Sequence, residues 1–269
     1  VSTFQEDQVR TTSNPAFRNL PTGGGYANFD NYPGAQTQGY GGQQGPPAAA
    51  DRPMTIDDVV TKTGMTLGVL VVTAVLTAVS QAYWLAIPGL IAGLVLGLVN
   101  AFKRKPSPVL ILLYAVAEGM LLGALSGMVA TFSEAGGAIV GQAVVGTLGV
   151  FFGMLVIYKT GAIRVTPKLT RWVVGALIGV GVLMLANLVA GFFVPGGMGL
   201  RDGGTLAIIF SLVCIGIAAF VFLLDFKMAD DMIQQGTPSV YAWQVAFGLT
   251  MTLVWLYIEI LRLLSYFNE

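Results

Sequence analysis

Three carboxylates stand where carboxylates are costly: Glu118 in "YAVAEGML", Asp225 in "FVFLLDFKMADD" and Glu259 in "LVWLYIEILRLL". Each lies within or at the edge of a long apolar run. An ionisable side chain at the centre of a bilayer costs at least ~2.5–3.5 kcal/mol on insertion scales, so each calls for a partner, a proton or water. Glu259 has Arg262 three residues on, within reach of an ion pair on one helix. Asp225 is followed by Lys227, Asp230 and Asp231, the company expected at a headgroup boundary. Glu118 has no basic neighbour within two turns. The chain contains no histidine, so a response to pH near neutrality has to come from such carboxylates or from their coupling to an ion.

The elements that hold these groups are legible from composition. Of 269 residues, 55% are hydrophobic and only 10% charged, far from the balance of a soluble domain and close to that of a polytopic membrane protein. Apolar segments of the ~17–25 residues that a bilayer requires lie at roughly 64–83, 84–102, 108–132, 137–158, 172–194, 204–225 and 242–266. Seven spans make an all-α bundle over 54–269. Before it, residues 1–53 are rich in Gly, Gln, Asn, Pro and Tyr, and are expected to be a disordered tail whose Tyr26, Phe29, Tyr32 and Tyr40 could make weak partner contacts. No apolar core of a secretory signal is visible there, so insertion is expected to use the internal spans. Thr55 followed by Asp58 reads as a capping box opening a short helix that leads into the membrane.

Loop charges give direction. Arg52 and Lys62 precede the first span, Lys103, Arg104 and Lys105 follow the second, and Lys159, Arg164, Lys168 and Arg171 surround the fourth-to-fifth connection, whereas the alternate loops carry only one basic residue, Arg201. The positive-inside rule then puts the N-terminus in the cytoplasm and the C-terminus outside. Gly89, Gly93 and Gly97 in the second span, and Gly119, Gly123 and Gly127 in the third, recur every four residues, the spacing that lets helices approach closely in lipid. Cys214 is alone in the sequence and reads as packing. With 14 basic and 14 acidic residues, bulk charge offers nothing to nucleic acid.

The last two spans form a hairpin turning near "GTPS", with Thr237 expected as N-cap and Pro238 at the first helical position. Residues equidistant from the turn share a depth, so reflection about 238 sets Asp225 beside 251 and 252. Glu259 then lies on the same face as Thr252 but ~10 Å further on. Glu118 is ~14–16 Å into its own span. The expected arrangement is a vertical series: Asp225 at the inner mouth with Thr252 opposite, then Glu259 and Glu118 near mid-membrane.

The span count, together with "FLLDFKMADDMIQQG" and "LTMTLVWLYIEILRLL", resembles the Bax inhibitor family (the transmembrane Bax inhibitor motif proteins), and "SNPAFRNL" looks like its bacterial branch. The resemblance implies a bundle with the seventh helix central, wrapped by the other six, in the cytoplasmic membrane of a bacterium. It also implies a pH-sensitive calcium leak in which two aspartates on the last two helices share a proton. Asp225 falls on the first of these, but Thr252 falls on the second and Glu259 occupies a position usually apolar or small.

The function expected on this basis is a Ca²⁺ leak pathway gated by protonation. Asp225 would gate the inner mouth and Glu259 would be the mid-pore proton and cation site, with Arg262 as counter-charge. Glu118, Thr252, Asp230 and Asp231 would add oxygen donors of the kind Ca²⁺ takes. Partners are then the bilayer, protons and the permeant ion, with no cofactor. A non-conducting regulator that binds membrane proteases or stress-response proteins is the alternative. An enzyme is not expected: the absence of histidine excludes Ser/His proteolysis and His-dependent zinc sites, and "LLDF" and "LRDGG" are not the paired motifs of an aspartyl intramembrane protease.

Overall fold

The computed structural model describes residues 52–132 and 136–268, so the expected tail lies almost wholly outside the described residues. Seven long helices follow one another: α1 (Ile56–Val79), α2 (Ala86–Phe102), α3 (Pro108–Phe132), α4 (Gly136–Thr160), α5 (Pro167–Gly191), α6 (Thr205–Gln234) and α7 (Ala242–Tyr266). All seven are long and apolar enough to cross a bilayer, and the protein is an integral, multi-pass membrane protein. Their outer faces carry large apolar side chains such as Val71, Leu94, Phe152, Ile178 and Leu212, which suit lipid and not water.

The boundaries follow local chemistry. Thr55 caps α1 with a complete capping box: its side chain accepts from the Asp58 amide, and the Asp58 carboxylate accepts from the Thr55 amide. The short leading helix expected there is the first part of α1 itself, which runs unbroken from Ile56 to Val79. The chain reverses at Ser80–Ala82, where Gln81 takes φ 53°, and re-enters through a 3₁₀ turn at Tyr83–Leu85. α5 is capped by Thr166 with proline in its first turn.

Two expected boundaries need correction. The sixth span does not stop at Asp225 but continues to Gln234, placing Asp225 two and a half turns inside α6. Thr237 does not cap α7: a 3₁₀ turn at Ser239–Tyr241 precedes Ala242, and no side-chain cap bond is made. Instead the Thr237 carbonyl accepts from the Met54 amide at 2.8 Å, and the Ser239 amide donates to the Arg52 carbonyl at 2.8 Å. The segment before α1 is thereby strapped to the α6–α7 turn, and Lys62 Nζ reinforces it by donating to the Ser239 carbonyl.

The glycine series set the helix spacing. A Cβ on Gly123 would sit 2.2 Å from the Ala74 carbonyl oxygen, and one on Gly119 2.6 Å from that of Leu70, so α1 lies backbone to backbone on α3. Gly89 does the same for α2 on α3, 2.9 Å from the Ala117 carbonyl. α7 packs against α1, α3, α4 and α6, and its Val245, Leu256 and Glu259 are among the most buried side chains. The expected wrapping is thus partial: α2 lies mainly on α3, and α5 mainly on α6.

Candidate functional site

The α6–α7 hairpin brings Asp225 to the face of α7 that carries Gly248 and Thr252. Thr252 Oγ1 donates to Asp225 Oδ2 at 2.8 Å and also lies 3.2 Å from the Gly248 carbonyl, one turn back on its own helix. A Cβ on Gly248 would come no closer than 3.8 Å to Asp225 Oδ1, so the glycine seats the carboxyl without crowding it. Among the described residues no ion pair reaches Asp225. Lys227, its nearest basic neighbour in sequence, pairs with Asp231. Asp230 accepts from the Tyr158 hydroxyl at 2.6 Å, tying α6 to α4.

Glu259 occupies different surroundings. It is 1% exposed, and both of its oxygens are taken by Arg201, at 2.8 and 3.1 Å, in the two-pronged geometry a guanidinium offers a carboxylate. Arg262 stands further off, at 3.6 Å. The counter-charge expected from Arg262 alone therefore comes first from Arg201. Arg201 lies in the α5–α6 connection, at the end of the bundle opposite the α6–α7 turn, so Glu259 is displaced from the middle of α7 toward that end. Seventeen residues, or ~26 Å of helix, separate it from the start of α7. A carboxylate held by two guanidiniums is also a poor open ligand for Ca²⁺.

Glu118 is 9% exposed and points across the α2–α3 interface into the notch left by Gly93, where a Cβ would stand 2.8 Å from its Oε1. Tyr114, one turn earlier, interacts with it, while Oε2 is buried without a hydrogen bond. No hydrogen bond or ion pair among the described residues joins Glu118 to Glu259 or to Asp225. The vertical series thus separates into three places: Asp225 with Thr252 inside the hairpin, Glu259 with Arg201 toward one end, and Glu118 at the α2–α3 interface. Consistent with that separation, no three His, Cys, Asp or Glu side chains converge among the described residues as a metal centre would need. Asp225 and Glu259, each expected to offer oxygens to Ca²⁺, stand apart as expected, since Glu259 lies seven residues, or ~10 Å of helix, beyond the Thr252 that holds Asp225.

Sequence reasoning missed Arg201 and Gly93. Arg201 had a signal, as the single basic residue in the loops of its side; Gly93 was read only as a packing device. A family model described as Bax inhibitor 1 like matches residues 5–269 of the chain. No curated protein matches it.

Proposed function

The chain belongs to the Bax inhibitor 1-like family, and from that premise we propose that it is a cation leak pathway, for Ca²⁺ in the first place, whose opening depends on the protonation of Asp225. One observation carries the proposal: inside a membrane-spanning hairpin Asp225 is held by a hydroxyl and, among the described residues, by no basic one. An unpaired carboxylate at that depth exchanges its charge for a proton or accepts a cation. Thr252 suits both states. While Asp225 is charged, the hydroxyl donates to it; once Asp225 is protonated, the acid can donate to Thr252, whose own proton then turns to the Gly248 carbonyl 3.2 Å away. Reversal of one hydrogen bond between α6 and α7 couples a proton to the contact that joins the helices.

The orientation proposed is the one given by the basic loops, with the α6–α7 turn cytoplasmic. The experiment is Ca²⁺ flux into liposomes carrying the purified full chain, across a pH series. Wild type is expected to conduct with a pH-dependent rate, and Asp225→Asn to abolish that dependence. No conduction at any pH, or an Asp225→Asn profile matching wild type, would sink the proposal. The first of those results would turn attention to a non-conducting regulator, tested by deleting residues 1–51 and measuring the cellular effect.

A further inference from the structure

We infer that Arg201 and Glu259 form a lock that holds the α5–α6 connection closed over its end of the bundle, a second closure apart from Asp225. The connection, residues 192–204, is rich in glycine, and Gly196, Gly197, Gly199 and Gly203 all have positive φ. Its main-chain bonds are local turns, such as the Val194 amide to the Ala190 carbonyl at 2.8 Å and the Gly197 amide to the Val194 carbonyl at 2.9 Å. Side-chain bonds add to them: the Met198 amide donates to Asn187 Oδ1 at 2.9 Å, the Gly204 amide to Asp202 Oδ1 at 3.1 Å, and Arg201 reaches over to α7.

Only the last of these ties the connection to another part of the bundle. Asn187 belongs to α5, whose end the connection extends, and Asp202 to the connection itself. Arg201 instead spans 58 residues of sequence to take both oxygens of Glu259, with its guanidinium 5.4 Å from the Phe210 ring. Beside it Leu200 is buried against Val180, Phe210 and Cys214. The polar bond and the apolar plug therefore close the same place. Arg262 gives the cluster two positive charges, and Glu259 is the one acid among the described residues that pairs with both.

Cys214, buried under this plug and the chain's single cysteine, is a built-in reporter. The full chain in nanodiscs, which expose both faces, is treated with a small water-soluble methanethiosulfonate, and the rate of labelling of Cys214 is followed. Local opening governs the access of such a reagent, and losing one partner of a buried pair is strongly unfavourable to the closed form. Arg201→Gln and Glu259→Gln are each expected to raise the rate about tenfold or more. The exchanged pair, Arg201→Glu with Glu259→Arg, keeps the charges of the cluster and is expected to return the rate to within about threefold of wild type.

Unchanged labelling in both single variants would overturn the lock, and so would an exchanged pair as reactive as the singles. The gating role rests on the leak reading, whereas the closure does not. In a conducting protein, the singles should raise Ca²⁺ flux at every pH while keeping its pH dependence. Faster labelling with flux unchanged would overturn the gate. Faster labelling in a protein that never conducts would leave the lock standing and remove the leak.

Discussion

At the scale of single residues, the three acids set within the apolar helices differ in what neutralises them. Glu259 has two arginines, Asp225 a hydroxyl, and Glu118 a tyrosine neighbour and a glycine notch. The two arginines are unequal. Arg201 is bidentate at 2.8 and 3.1 Å with its side chain 21% exposed, while Arg262 stands at 3.6 Å and is 34% exposed. Removing the close partner strands a buried charge, which costs about 3–5 kcal/mol, whereas a long, partly exposed pair contributes about 0–1 kcal/mol. Arg201→Gln is therefore expected to lower the unfolding temperature in detergent well below that of Arg262→Gln; equal shifts would mean that the two share the load. Arg262 was the partner visible in sequence because a helix fixes i to i+3 neighbours. Arg201 was not, because a partner 58 residues away is set by how α5, α6 and α7 pack, and spacing does not encode that.

Between elements, contact is made by absent side chains. Gly123 lies against the α1 backbone, so a methyl group there must push the Ala74 carbonyl aside. Gly153 on α4 and Gly179 on α5 face open space, with nothing within 4 Å of a Cβ. Gly123→Ala should destabilise by about 1–3 kcal/mol, as overpacking does. Gly179→Ala should be neutral or slightly stabilising, by up to about 1 kcal/mol, since alanine is the better helix former. Unfolding of both variants in the same detergent checks this, and an equal loss would remove the special role of the α1–α3 contact. The glycine stripes were legible because period four is a property of one helix. The pairing of Asp225 with Thr252 was legible for a similar reason, since a short turn makes depth a matter of counting. The end of α6 was not: "KMADDMIQ" is polar enough to read as a break, yet Lys227 with Asp231, and Asp230 with Tyr158, hold it in one helix to Gln234.

Across the described bundle, the two ends are fastened by different chemistry. At one end Arg201 joins the α5–α6 connection to α7 by charge. At the other, main-chain bonds strap Arg52 and Met54 to the α6–α7 turn, and Lys62 anchors it from α1 while lying 6.0 Å from the Trp243 ring. Arg52 is itself fixed by Asp58, the residue that completes the α1 cap. The opening proposed around Asp225 would therefore pull on the start of α1. Lys62→Met keeps the length and apolar stem of the side chain but removes the ammonium that reaches the Ser239 carbonyl. Amide hydrogen exchange at Thr237–Tyr241 should then quicken, by about an order of magnitude for a bond to a charged group worth ~1.5–3 kcal/mol, while exchange across Leu200–Gly204 at the far end stays as in wild type. Faster exchange at both ends would show one cooperative closure, and the picture of two separately fastened ends would have to be abandoned.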